Sequence, residues 1–461
     1  MRHHSAQPAT WEGLKVVHPQ AGGLDIGSTE IWAAVSPERT SEPVRCFGTY
    51  TPDLAALAEW LQANGVDTVA MEATGVYWIP VYEVLEARGF EVYVVNARHI
   101  KNVPGRKSDI QDCQWIQGLH SVGLLRGSFR PEAEIATLRA YLRHRAGLIE
   151  HRAAHILHMQ KALGQMNVQL TQAVKDITGV TGLAIIRAIV AGERDPHKLA
   201  ALRQPGVKKN EQEIARALTG NYRPEHLFAL KQALALYDAY GEQLRECDRE
   251  IERQFANLKP AAPPDEQAPL DITDKRESNS KNGPSYDART LLYRWAGVDL
   301  VAIPGLNAST AQTILAEIGI DLSAWPTEKH FCSWLGLAPH NDISGGKVLR
   351  SRTLKTHNRA GQAFRLAAQS VSRSPNSVFG AFYRRMRARL GSRQAIVATA
   401  HKLARTFYYM LKHHTPFHDM GGEEYERRAR ERAVRNLEKR AAKLGMTLIS
   451  TPAAAPTASV S

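Results

Sequence analysis

The sequence predicts an α/β domain, then long helices, then a mainly α C-terminal domain, and three observations carry the prediction. Between residues 22 and 96 short apolar runs alternate with helical patterns. From Leu138 onward apolar residues recur every seven positions. Beyond a proline-rich stretch, helical patterning returns with a strong excess of Lys and Arg.

Strands are expected at Gly22–Ile26, Glu30–Ser36, Val44–Tyr50, Thr68–Glu72 and Glu91–Asn96, which makes a mixed sheet. The first helix should open with Thr51 as N-cap and Pro52 at its first position, then place Leu54, Leu57 and Leu61 on one side. Farther on, Leu142, Ile149, Ile156, Leu163 and Leu170 form one heptad row, and Leu230, Tyr237, Leu244, Ile251 and Leu258 form another. Arg145, Arg152 and Asp248 share the companion positions with Met159, Met166 and Phe255. Coiled-coil arms that pair chains and amphipathic helices packed in a bundle both fit such rows.

Residues 259 to 289 hold five prolines and lack a hydrophobic period, the mark of a linker. A helical domain follows from about Leu291. An Arg/Glu-rich helix is expected over Glu423 to Lys443, before a tail expected to be disordered.

The chain has 461 residues and a formal charge of +13. Between Asn341 and Met420 there are 15 Lys/Arg against Asp342 and Asp419 alone, so this segment carries the whole excess. Concentrated charge of this kind favours a nucleic-acid surface over general solubility. Collagen-like, wholly disordered and disulfide-stapled classes fit poorly. Cys46, Cys113, Cys247 and Cys332 form no C-x-x-C pair, and no apolar stretch approaches the ~20 residues that cross a bilayer. The expectation is a soluble, unexported cytoplasmic protein with no membrane partner, associated with the nucleoid of a bacterium or archaeon.

Asp25 ends the first expected strand and Glu72 another, and acids at strand ends face the loops where chemistry is usually placed. Asp109 and Asp112 follow Ser108, a plausible helix cap, and their spacing puts both carboxylates on one side of the helix. Gathered together, four carboxylates would raise one another's pKa or bind a hard divalent cation, Mg²⁺ or Mn²⁺. Taken singly, each is more simply a surface acid or a helix N-terminal Asp.

The order strand-Asp, strand-Glu, helix-Asp-x-x-Asp resembles the DEDD catalytic set of the ribonuclease-H-type, RuvC-like fold in DEDD insertion-sequence transposases, the bridge-RNA-guided recombinases. A second likeness runs from Ala302-Ile303-Pro304-Gly305-Leu306 through Ala316-Glu317-Ile318-Gly319, a helix-hairpin-helix-like opening. Its Pro-Gly turn could offer N–H groups to a phosphate or simply join two helices. The run continues through Trp334-Leu335-Gly336-Leu337-Ala338-Pro339, Asp342-Ile343-Ser344-Gly345-Gly346-Lys347 and Lys355-Thr356-His357-Asn358-Arg359-Ala360-Gly361 with Phe364 and Arg365. The likeness covers Gly22 to Arg126 and Leu300 to Ser372.

The resemblance implies that Asp25, Glu72, Asp109 and Asp112 hold the metal and that Ser344 is a nucleophile forming a phosphoserine link with DNA. Alone, Ser-Gly-Gly reads as a turn. The resemblance also implies a structured guide RNA from the element and an assembly, a homodimer or homotetramer, in which acids and serine meet. Expected domains are an N-terminal extension over 1–21, the RuvC-like domain over 22–126 and a helical, coiled-coil region over 127–258. A Pro-rich linker over 259–290, a helical transposase domain with a basic surface over 291–420 and a charged helix with tail over 421–461 complete the chain.

Nucleic-acid contact is expected from Lys347, Arg350, Arg352, Lys355, Arg359 and Arg365, and from Arg384, Arg385, Arg387, Arg389 and Arg393. Phe382, Tyr383, Phe407, Tyr408 and Tyr409 are nearby and suit either unstacked bases or a helical core. His144, His151, His155 and His158 have zinc-like spacing without H-E-x-x-H or a cysteine partner, and read as a solvated or RNA-facing stripe. His413, His414 and His418 take no role.

Three rivals remain. A junction nuclease would use metal-activated water without Ser344. An actin-like ATPase would match Asp25-Ile26-Gly27-Ser28-Thr29 but need a second such loop, which the sequence lacks. A basic nucleic-acid-binding scaffold would carry vestigial acids.

Overall fold

Alternation with period two decides what the sheet buries. Leu24 and Ile26 of the first strand and Val69 and Met71 of the fourth turn to one face, while Gly23, Asp25, Ala70 and Glu72 turn to the other. The structure is a computed structural model that describes residues 13–96, 108–261, 270, 280–354, 358–374 and 376–449. The chain divides into two compact units, Met1–Arg130 and Pro131–Ser461.

In the first unit, β1 (Ala21–Ile26), β2 (Glu30–Ala34), β3 (Val44–Gly48), β4 (Thr68–Glu72) and β5 (Glu91–Val95) form one sheet in the order β3-β2-β1-β4-β5. β1, β4 and β5 run parallel, and β2 and β3 are antiparallel additions, so the sheet is mixed. Helices α1 (Thr51–Ala63) and α2 (Trp78–Ala87) cover the face of Leu24 and Met71. The cap of α1 is Tyr50 rather than Thr51, because the carboxylate of Asp53 reaches back to accept the Tyr50 N–H at 3.2 Å.

Helix α3 (Asp109–Ser121) covers the opposite face, packing Ile116 and Leu119 on Ala70 and Val95. Its approach to β1 depends on Gly23. A Cβ at that position would stand 2.3 Å from the Gln117 backbone nitrogen and 2.5 Å from the Cys113 carbonyl oxygen. The far end of α3 is tied down by His120, fully buried, whose Nε2 lies 2.9 Å from Thr68 Oγ1. Residues ahead of β1 lie over the same end: Val17 and His18 donate their N–H groups to the Ser121 carbonyl, and the His18 ring stacks on His120 at 4.7 Å.

The second unit begins with α4 (Ala133–Gln165), followed by the short helices α5 (Leu170–Ala173), α6 (Val180–Ala191), α7 (Pro196–Ala200) and α8 (Glu211–Leu218), and by α9 (Pro224–Asn257). The two heptad rows run along α4 and α9, with Leu170 falling in α5 and Leu258 just past α9, and the two long helices pack along each other within the chain. Met159, Leu163, Ile185, Ile189, Leu218 and Leu230 belong to the core where the short helices close the pair. Farther along, Arg145 (8% exposed) and Asp248 (3%) form a buried ion pair, with Nε–Oδ1 at 2.5 Å. The pair also fastens residues 280–287, inside the segment expected to be a linker. Arg145 donates to the carbonyls of Asn282 and Gly283, and Asp248 accepts the Ser285 N–H.

The remaining elements are α10 (Ala288–Ala296), α11 (Ala308–Ile318), α12 (Glu328–Trp334), the strands β6 (Pro339–Ser344) and β7 (Lys347–Thr353), then α13 (Arg359–Val371), α14 (Val378–Leu390), α15 (Ser392–His413) and α16 (Gly422–Lys443). Phe331, Phe364 and Phe407 meet edge to face in their core, and Tyr408 closes it by donating to the Trp325 carbonyl at 2.7 Å. The Pro304-Gly305 turn closes on itself, with the Leu306 N–H on the Ile303 carbonyl, and Asn307 caps α11. No helix among the described residues is long and apolar enough to cross a membrane.

Two outcomes test this packing. Gly23→Ala should lift α3 from the sheet and cost about 1–3 kcal/mol, read by urea unfolding of the first unit's signal. Asp248→Ala leaves Arg145 buried without its counter-charge, costs about 3–5 kcal/mol, and should make residues 280–287 the first site cut in limited proteolysis.

Candidate active site

Asp25 and Glu72 are neighbours because β1 and β4 are parallel and in register. Leu24 lies opposite Met71, so the next two residues, both on the α3 face, stand side by side at the C-terminal edge of the strands. That edge is where open parallel sheets bind their ligands. Helix α3 delivers the other two acids, for Asp109 and Asp112 occupy its first turn. Ser108 caps the turn, its Oγ accepting the Gln111 N–H at 3.4 Å.

The electrostatics register the meeting. The Asp25 carboxyl is pushed up to about 6, first by burial and then by the negative charges of Asp112, Asp109 and Glu72, against a lowering hydrogen bond from the Ile26 backbone. Cys113, one residue behind Asp112, has its thiol driven to about 12 by burial and by Asp25, so it stays protonated. On β3, the exposed Cys46 thiol is raised by desolvation, by Glu30 and by Asp109, so the negative field reaches across the sheet. Among the described residues, no three His, Cys, Asp or Glu side chains form a group that could hold a metal ion. The carboxylates share a field without forming a closed ligand shell.

Ser344 lies in the second unit, at the tip of a hairpin that sequence reasoning missed. β6 and β7 pair antiparallel around Gly345 and Gly346, both at positive φ (+54° and +75°), as a two-residue type I′ turn requires. The pairing holds an irregularity: Ile343 lies opposite Val348, yet Asp342 lies opposite Arg350, so Leu349 is an extra residue. This bulge resets the alternation of β7. Lys347, Arg350 and Arg352 thereby share the face of Ser344, which they would not do in an unbroken strand. Ile343 and Val348 occupy the other face, 62% and 54% exposed.

The remaining cations are placed differently. Arg359, Arg385, Arg387, Arg389 and Arg393 are exposed. Arg384 is exposed and pairs with Glu426 at 2.7 Å. Arg365 is half-buried and donates to the Gly336 carbonyl at 2.7 Å, a tie within the fold. Lys355 lies outside the described residues. Tyr383, Phe407 and Tyr408 are core residues, whereas Tyr409 is 57% exposed. Of the histidines on α4, His151 and His155 stack against Tyr240 of α9.

The raised Asp25 pKa has a consequence with a definite sign. Its folded value lies above its unfolded one, so its charged form destabilises the fold and protonation relieves this as pH falls through about 6 toward 4. Asp25→Asn should therefore stabilise the metal-free protein at about pH 7.5, by about 1–2 kcal/mol after allowing for solvent screening. Thermal melts across pH should show the gain vanishing near pH 4.

A family model described as a transposase, DEDD_Tnp_IS110, matches residues 22–168, and one described as Transposase IS116/IS110/IS902 family matches residues 299–384. Together they span about half of the chain. No curated protein matches it. The first match takes in all four acids, with the mixed sheet and the helix α3 that carry them, and the second takes in Ser344 with its hairpin. The chain belongs to the IS110-type DEDD transposases, enzymes of insertion sequences that cut DNA.

Proposed function

We propose that the protein cuts and rejoins DNA by phosphoryl transfer, with Ser344 as nucleophile and Asp25, Glu72, Asp109 and Asp112 holding divalent cations. The observation that carries the reading is the Asp25 carboxyl, pushed to about 6 by burial and by three other carboxylates at the C-terminal edge of the sheet. Such repulsion is tolerated where a cation relieves it in the working state. An all-carboxylate set without a closed shell suits Mg²⁺ or Mn²⁺, which keep waters and take up phosphate oxygens. The bound cation would neutralise charge on the attacked phosphate and its leaving oxygen.

The chain's own residues do the rest. Ser344 Oγ gives up its proton to solvent as it attacks phosphorus, the bond to the neighbouring nucleotide oxygen breaks, and that oxygen takes a proton from solvent and leaves as a hydroxyl. Lys347, Arg350 and Arg352, on the Ser344 face, balance the charge of the five-coordinate phosphate. Rejoining runs the step backwards and frees the serine. One phosphate ester replaces another throughout, so no nucleotide hydrolysis is needed.

The family likeness supports two further parts of the proposal: that a structured RNA from the element directs the choice of DNA, and that the working form is a homodimer or homotetramer. Helices α4 and α9 pack on each other inside the chain, so assembly would use their outer sides, where Leu157 and Leu236 stay 65% and 45% exposed.

The test is incubation with element-end DNA, the flanking transcript and Mg²⁺, followed by denaturing gels. A protein–DNA adduct should form and should vanish with Ser344→Ala and with Asp25→Asn. Strand cleavage that survives Ser344→Ala would instead identify a nuclease using activated water.

A further inference from the structure

Outside the catalytic residues, the second unit has a cleft of about 680 Å³ between the start of α12, the C-terminal half of α15 and residues 415–418. Its walls combine two chemistries. Arg405, Lys412, His413 and His418 supply cationic or protonatable groups, with Glu328 as the one acid. Tyr409 and Phe417 supply aromatic surface.

These side chains differ in how far the fold already uses them. Lys412 is fixed, donating to the Pro326 carbonyl and to Tyr408 Oη at 2.9 Å each. Arg405 reaches Glu328 at 3.3 Å and keeps donors to spare. Phe417 is backed by Phe379, stacked at 5.8 Å and 21°. Tyr409 is different: 57% exposed on an otherwise ordered helix, its ring meets only that of His413, at 4.5 Å, among the described residues. A large aromatic held out beside fixed cations is the arrangement that stacks an unpaired base while its phosphate meets a guanidinium or an ammonium.

We propose that this cleft binds an unpaired nucleotide of a single-stranded nucleic-acid segment, its base against Tyr409 and its phosphate on Arg405 and Lys412. Duplex is a poor occupant, because its bases are stacked on each other and present only their edges. Single-stranded DNA and single-stranded RNA share the recognised chemistry and differ at the 2′-hydroxyl, which the test resolves. The site does not involve Ser344 or the acids, so it stands or falls separately from the phosphoryl-transfer proposal.

The experiment uses the full chain with Mg²⁺ omitted and three labelled probes of equal length: a thymidine single strand, a uridine single strand and a mixed duplex. Each single strand is also made with one fluorescent base whose emission falls on stacking. Tyr409→Leu should weaken single-strand binding about tenfold or more and abolish the emission change, while Tyr409→Phe restores both and duplex affinity is unmoved. The strand whose affinity responds more names the source, DNA or RNA. Equal single-strand affinity and unchanged emission in the wild type and Tyr409→Leu would overturn the proposal, as would parallel loss of duplex and single-strand binding. Adduct formation in the Tyr409→Leu protein with saturating DNA separates this outcome from failure of the serine chemistry.

Discussion

Helix α3 lies against the sheet only because position 23 bears no side chain, and the candidate site follows from that contact. β1 and β4 place two carboxylates side by side by register alone, which any parallel pair with acids at matched positions would do. The other two acids are brought to them by the depth at which α3 sits, set where Gly23 meets the backbone of Cys113 and Gln117. Burial of Ile116 and Leu119 supplies the attraction, and the tie between His120 and Thr68 prevents the helix from rocking about that point. The fold thus spends packing energy on holding like charges together, a cost that the proposed cation would offset.

The serine hairpin solves a different problem with similar economy. An exposed two-stranded ribbon has no core to set its facing, so its register comes from the turn and the bulge. Gly345 and Gly346 fix the reversal, and Leu349 shifts every later residue of β7 by one face. The result is a basic, serine-bearing face and a small apolar one, in a segment with scarcely any buried residue.

Much of this was legible in the sequence, for local reasons. The strands were marked by short apolar runs, and the element ends that carry Asp25, Glu72 and the Asp109/Asp112 pair could be placed, although singly these acids read as surface groups and only their order, through the family likeness, set them apart. What escaped depends on partners that no local pattern names. A heptad row states that a helix has an apolar side without saying what it faces, and here the two helices pack on each other within the chain, with Arg145 and Asp248 meeting between them. Residues 280–287 lack a hydrophobic period because polar ties to Arg145 and Asp248 hold them, and such ties leave no period to read. The Gly-Gly pair was a hairpin signal, hidden because β6 and β7 lack the alternation that a buried face imposes. Arg365 looked like one more surface cation until its bond to the Gly336 carbonyl placed it inside the fold.

Charge separates the parts of the chain, and the proposed chemistry would draw on both. A cluster of carboxylates repels a phosphate, so the acidic edge cannot attract DNA by itself. The segment from Asn341 to Met420 carries the entire net charge, which would attract a polyanion of any sequence, but it offers a divalent cation only two carboxylates, Asp342 and Asp419. On the proposed mechanism, a phosphate brought in by Lys347, Arg350 and Arg352 would add oxygen ligands that the carboxylates alone do not provide, so cation and phosphate would each strengthen the binding of the other. Reactivity would then depend on DNA being present, which would spare the acids from assembling a competent centre on free solvent.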